Sequence, residues 1–129
     1  MADSLPLGGL HHLSRQVSDV ERSRAFYRDV LGFAEIQRPD LKFNGAWLEN
    51  YGIQVHLIGD QDFNPEDKEI SSRANHTAFH SADLDRTEQL LREHGVQVRV
   101  NIQSGTGNKQ LFFHDPDGHT IEIATYPGR

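Results

Sequence analysis

His12, His56, His76 and Glu122 are the residues whose types and spacing most directly suggest chemistry. Glu122 raises the question alone. The run His114-Asp115-Pro116-Asp117-Gly118 is turn chemistry, because Asp bonds nearby backbone, Pro presets φ and Gly supplies positive φ. A strand over residues 120–125 is predicted to follow, with Ile121 and Ile123 on one face and Thr120, Glu122 and Ala124 on the other. One carboxylate then sits amid apolar residues, where burial is costly unless the charge is paired or metal-bound.

The same alternation groups the histidines. In a first strand His12, Ser14 and Gln16 oppose His11, Leu13, Arg15 and Val17. In a fourth, Gln54, His56 and Ile58 oppose Ile53, Val55 and Leu57, and in a fifth, His76, Ala78 and His80 oppose Thr77 and Phe79. The apolar sets are expected to pack on helices, which leaves His12, His56, His76 and Glu122 on the opposite face. Imidazole and carboxylate together suit a divalent ion such as Zn, Ni, Co, Mn or Fe(II), and a His-His-carboxylate set with open positions is the common catalytic arrangement. The alternative for any single histidine is a hydrogen-bonded sheet residue, and for Glu122 an edge-strand carboxylate facing water.

The elements that must position these residues occur twice. The first set is a strand over 10–17, a helix opened by a Ser18-x-x-Glu21 capping box and stopped by Gly32, and strands over 33–38, 45–49 and 53–58 with a turn at 50–52. After a polar stretch over 59–74 the order repeats. A strand over 75–81 precedes a helix over 83–94 stopped by Gly95, then strands near 96–101, 110–113 and 120–125. His76 follows His12, and Asp83 follows Asp19, by the same interval, and Glu122 lies beyond Gly118 as far as His56 lies beyond Gly52. Duplication therefore pairs His12 with His76 and His56 with Glu122. The predicted fold is α+β: two βαβββ modules, 10–58 and 75–126, related by a pseudo-two-fold axis in one domain, forming a curved sheet that bears a cavity, with helices outside. Residues 1–9 are a flexible lead-in and 59–74 the linker.

Composition bounds the partners. The 129 residues carry a net charge of -6 with scattered Lys and Arg, which argues against nucleic acid. No apolar run has membrane-spanning length and no apolar signal core opens the chain, so a soluble, cytoplasmic protein is expected. With no cysteine, disulfides, thiolate metal sites and a cysteine nucleophile are excluded, and any thiol must arrive with the substrate.

Four stretches carry a resemblance: Leu10-His11-His12-Leu13 running to Val17-Ser18-Asp19; Phe26-Tyr27-Arg28-Asp29-Val30-Leu31-Gly32-Phe33; Asn75-His76-Thr77-Ala78-Phe79; and Asp115-Pro116-Asp117-Gly118 into Ile121-Glu122-Ile123. Over about residues 9–126 the chain resembles the vicinal oxygen chelate superfamily, which includes glyoxalase I. The resemblance implies that His12, His76 and Glu122 are metal ligands and that His56 stands where glyoxalase I has a second glutamate. It implies a metal-dependent lyase or isomerase that chelates a small substrate, such as a thiol hemithioacetal, through two oxygens and stabilises an enediolate, with Glu122 as base. His56 in that position lowers the negative charge of the site and removes one potential base. The remaining His-His-Glu set is also similar to that of fosfomycin-type thiol transferases and of dioxygenases, and bleomycin-resistance-like relatives bind small molecules without catalysis. Short two-module members commonly form homodimers whose modules share cavities, so the site is expected either within one chain or between two.

Other residues are weaker candidates. Ser14, Gln16, His80 and Gln110 fall on the cavity face as substrate contacts or as polar lining. Trp47, Phe43 and Phe112 suit a pocket or the core, His94 and His114 solvated ends and turns, and Lys109 and Arg99 an anionic group or the surface. Arg15, on the helix side where an apolar residue is usual, has no assigned role.

Overall fold

The computed structural model describes residues 2–65 and 68–128. These residues fall into two compact units, 1–61 and 62–129. The first contains β1 (His12–Val17), α1 (Val20–Ala25), β2 (Ala34–Ile36), β3 (Gly45–Asn50) and β4 (Ile53–Gly59). The second contains β5 (His76–His80), α2 (Leu84–Glu93), β6 (Arg99–Ile102), β7 (Lys109–His114) and β8 (Thr120–Ala124). Each unit is a βαβββ motif with one open four-stranded sheet, ordered β1-β4-β3-β2 in the first and β5-β8-β7-β6 in the second. No helix among the described residues is long and apolar enough to cross a membrane.

Each sheet joins its first and last strands in parallel and the others antiparallel. A parallel neighbour requires a crossover, and α1 and α2 supply it. The helix-facing residues form the cores: Val17, Leu48, Val55 and Leu57 in the first unit, Leu111, Phe113, Ile121 and Ile123 in the second, all buried. The hairpin between β3 and β4 turns on Tyr51 (φ 55°) and Gly52 (φ 77°), two positive-φ residues in the pattern that matches strand twist.

The helix starts differ from the capping-box expectation. Asp19, extended at φ -142° and ψ 104°, is the N-cap of α1, and its carboxylate accepts from the Arg22 amide at 3.1 Å. Ser18 Oγ instead accepts from the Arg22 guanidinium, and Glu21 pairs with Arg24. Asp83 caps α2 in the same manner, accepting from the Arg86 amide at 3.0 Å. A carboxylate at the cap also meets the positive end of the helix. The end of α1 widens into a π-helical turn, Phe26–Val30, where Leu31 N–H reaches back to Phe26 O. Gly32 (φ 80°) then ends it. Strand β2 covers only residues 34–36 rather than 33–38, and β6 begins at 99 rather than 96. The predicted linker over 59–74 loses Gly59 to β4, and its residues 66 and 67 lie outside the described residues.

Candidate functional site

In the first unit the residues predicted to face away from α1 do so. Along β1, Val17 is buried and Leu13 and Arg15 are half-buried, whereas His12, Ser14 and Gln16 are exposed. In the parallel ladder Ser14 is opposite His56, which puts His56 two residues further along than His12 on the same face. The two imidazoles stack, with centroids 3.9 Å apart and planes 12° apart. Trp47, opposite His56 on β3, stacks on its other side at 4.2 Å and 7°. His11 Nδ1 and His12 Nδ1 share a hydrogen bond at 2.8 Å, and His56 Nε2 bonds Gln54 Oε1 at 2.8 Å. Burial first, then the neighbouring His12, His11 and Arg38 charges, push His56 below the usual imidazole value. Neutral imidazole is the form that ligates metals.

The second unit repeats this register. Ala78 is opposite Glu122, so Glu122 stands two residues beyond His76 as His56 stands beyond His12. His76 Nε2 lies 3.9 Å from Glu122 Oε1. Glu122 is only 5 % exposed, as expected for a carboxylate in that strand. Its oxygens accept from Gln110 Nε2 at 2.9 Å and from the Tyr126 hydroxyl. Phe112, opposite Glu122 on β7, is buried and meets the His76 ring edge-on at 5.6 Å. The structure thus brings His12 together with His56, and His76 together with Glu122. Among the described residues no group of three or more His, Asp or Glu side chains is gathered to hold an ion.

The weaker candidates have specific roles. Gln110 links Asn101, whose Nδ2 donates to it at 2.7 Å, to Glu122, so it orients the carboxylate. Gln16 donates to Asp60 at 3.3 Å, Ser14 is exposed, and His80 Nδ1 accepts from the Tyr126 amide at 3.0 Å. Lys109 is ion-paired with Glu88 at 2.6 Å and Asp85 at 3.6 Å, and Arg99 donates to Ile70 O at 2.7 Å; both serve local structure rather than an anionic ligand. His114 is half-buried, with Nε2 shielded from water and without a hydrogen-bond partner, instead of solvated. Arg15 donates to Ser14 O at 3.0 Å. An open depression of about 610 Å³ in the first unit is lined by His11, Ala34, Glu49 and Gln54 among others, and it borders the His56–Gln54 pair without including His56.

Tyr126 was not among the sequence candidates, although a signal for it existed. Alternation carried two residues past β8 puts position 126 on the face of positions 122 and 124.

The fold and the duplicated His/Glu register define a class that the comparisons identify. The profile of the Glyoxalase/Bleomycin resistance protein/Dioxygenase superfamily matches residues 9–123, and the chain belongs to that superfamily. It is 40% identical over 124 residues to Glyoxylase I 4 of Arabidopsis thaliana, covering 92% of this chain and 71% of the plant protein. It is 31% identical to metallothiol transferase FosB of Staphylococcus epidermidis, covering 94% of this chain and 84% of that one. A glyoxalase/dioxygenase from Nostoc punctiforme has the same fold, with a TM-score of 0.78, 26% identity, and 98% and 99% of the two chains covered.

Proposed function

We propose that the chain is a divalent-metal-dependent enzyme of the glyoxalase I type, acting on a small substrate that offers two adjacent oxygens. The observation that carries this reading is the repeated register, His12 with His56 and His76 with Glu122 at equivalent positions of equivalent strands. The donor set fits a divalent ion: three imidazoles, of which His56 is biased to the neutral form, and one buried carboxylate. His12, His56, His76 and Glu122 would hold the ion, within one chain or across a homodimer. When bound, the ion polarises the substrate oxygens as a Lewis acid.

The remaining roles belong to the chain. Glu122 takes a proton from the hydroxyl-bearing substrate carbon and returns it to the adjacent carbonyl carbon, while the hydroxyl proton passes to the other oxygen, so that the product is an isomer of the substrate. Gln110 and Tyr126 hold the carboxylate in one orientation. Trp47 covers one face of the His56 ring. His56 leaves Glu122 as the one carboxylate of the four, so proton transfer falls to it alone. The 40% identity to Glyoxylase I 4 supports this reaction type, and a soluble cytoplasmic setting with a thiol adduct as substrate accords with it. A second reading, thiol transfer to an epoxide, is favoured by the 31% identity to FosB.

Metal content and an activity panel test both. Stoichiometric Zn, Ni, Co, Mn or Fe in the purified protein, with turnover of methylglyoxal plus glutathione, is the expected result. Turnover of fosfomycin plus a thiol instead selects the second reading. A chain that takes up none of these metals refutes the proposal. Glu122→Gln is expected to abolish turnover while the fold persists, and wild-type turnover in that variant removes Glu122 from proton transfer.

A further inference from the structure

Three side chains on the open face of the second sheet form a line from its outer edge to Glu122. Asn101 lies on β6, the edge strand, opposite Gln110 on β7; Gln110 is opposite Ala124 on β8, while Glu122 is opposite Phe112. Alternation puts Asn101, Gln110 and Glu122 on one side of the sheet. Ala124 ends at a methyl group, so Gln110 has room to lean diagonally to Glu122, a reach within the span of a long side chain. Both links are hydrogen bonds of ordinary length: Asn101 Nδ2 to Gln110 Oε1 at 2.7 Å, and Gln110 Nε2 to Glu122 Oε1 at 2.9 Å. The first unit has no such line. Gly45, opposite Ile58 two residues beyond His56, stands where the second unit has Gln110 opposite Ala124 two residues beyond Glu122. The amides therefore accompany the carboxylate and not the imidazole.

The polarity of the line follows from its inner end. An ionised carboxylate only accepts, so Glu122 requires the nitrogen of the Gln110 amide, and the amide oxygen must then point to β6. There it meets the Asn101 donor. A half-turn of the Gln110 amide would set oxygen against the Glu122 oxygen and nitrogen against the Asn101 nitrogen, which is repulsive at both ends. Asn101 thus selects between two orientations of nearly equal shape. Tyr126 serves the other oxygen, Oε2, and His76 Nε2 stands 3.9 Å from Oε1, beyond hydrogen-bond length, so the Gln110 link is what holds Oε1. With Glu122 buried, bulk water does not replace a donor lost there.

The structure assigns Asn101 as a positioning residue: acting through Gln110, it fixes the orientation of the Glu122 carboxylate without touching substrate. This rests on Glu122 as the base of the reaction proposed above, whereas the hydrogen-bonded line itself needs only second-unit residues. With its oxygen already occupied by Asn101, Gln110 offers a protonated Glu122 no acceptor, and the proton taken from the substrate is kept for return to it.

The side-chain amide of Gln110 reports the line directly, by NMR of the metal-free full-length chain. In the wild type its two Nε2 protons are expected to be well separated and slow to exchange with water, because a carboxylate holds one of them. Asn101→Leu, close in volume but without a donor, should bring the two resonances together and speed exchange by about tenfold. In the metal-loaded chain the same variant should lower kcat by about tenfold and leave KM little changed, since Asn101 does not touch substrate. Asn101→Asp, which sets an acceptor against Gln110 Oε1 and favours the turned amide, should act in the same direction and more strongly. In a Gln110→Leu background Asn101→Leu should have no further effect, because its action passes through the amide. Unchanged Gln110 resonances in Asn101→Leu, an effect on KM rather than kcat, or additive losses in the double variant overturn the inference. Should Asn101→Leu fail to fold, Asn101→Asp, which keeps the size, decides by the same resonances. Gln110 resonances that respond to Asn101 in a chain that turns over neither methylglyoxal plus glutathione nor fosfomycin plus a thiol would leave the line standing and remove the proposed reaction.

Discussion

Replacing Tyr126 with Phe removes one hydroxyl from a carboxylate that has few donors. Glu122 is 5 % exposed; Oε1 is served by Gln110 at 2.9 Å and Oε2 by Tyr126. The ring stays and the shape is nearly unchanged, so the effect is confined to the lost donor. A hydrogen bond to a charged group contributes about 1.5–3 kcal/mol, and a buried oxygen left without a donor bears the full desolvation penalty. We expect a loss of about 2 kcal/mol in the absence of metal. With an unfolding entropy of about 2.1 cal/mol/K per residue, the whole chain gives ~0.27 kcal/mol/K, so the melting temperature should fall by about 7 °C. Urea unfolding and thermal melts in chelator measure it. In a Glu122→Gln background the acceptor is neutral, and the cost of Tyr126→Phe should drop to about 1 kcal/mol. A cost below about 0.5 kcal/mol in the parent, or the same cost in both backgrounds, would refute the view that Tyr126 stabilises the ionised carboxylate.

Two further outcomes test the packing around the sites. Burial, then the Lys68 charge, hold His114 below its ordinary value of 6.5, partly opposed by Asp115. The unfolded chain then binds more protons than the folded one, so stability should fall as pH drops below about 6.5 and be insensitive to this group above it. Urea midpoints of wild type and His114→Gln between pH 5 and 8 should diverge on that acid side; parallel curves would dismiss the assignment. Gly32 and Gly95 end the two helices at φ 80° and 76°, but a Cβ on Gly32 would lie 2.9 Å from the Tyr51 hydroxyl, whereas one on Gly95 meets open space. Gly95→Ala should cost about 1 kcal/mol from backbone strain and Gly32→Ala more, up to about 3 kcal/mol, because Tyr51 must give up its bond to Leu31 O. Equal costs from urea titrations would count against the Tyr51 contact.

Period and repetition are legible in the residues alone. Alternation told which side of β1, β4, β5 and β8 His12, His56, His76 and Glu122 would take, because successive strand residues must point to opposite faces; His11, expected opposite His12, instead precedes β1 and bonds the His12 ring. The repeated intervals gave two βαβββ modules and matched His56 to Glu122. What those side chains touch depends on how the strands pair. Register made His12 and Trp47 the two stacking partners of His56, and brought Gln110 and Tyr126 to Glu122. Lys109 went to Glu88. These choices depend on pairing between strands far apart in the chain, which leaves no local pattern. The sequence required a partner for the Glu122 charge, and the folded sheet supplied Gln110 and Tyr126 as its donors, with His76 beside it.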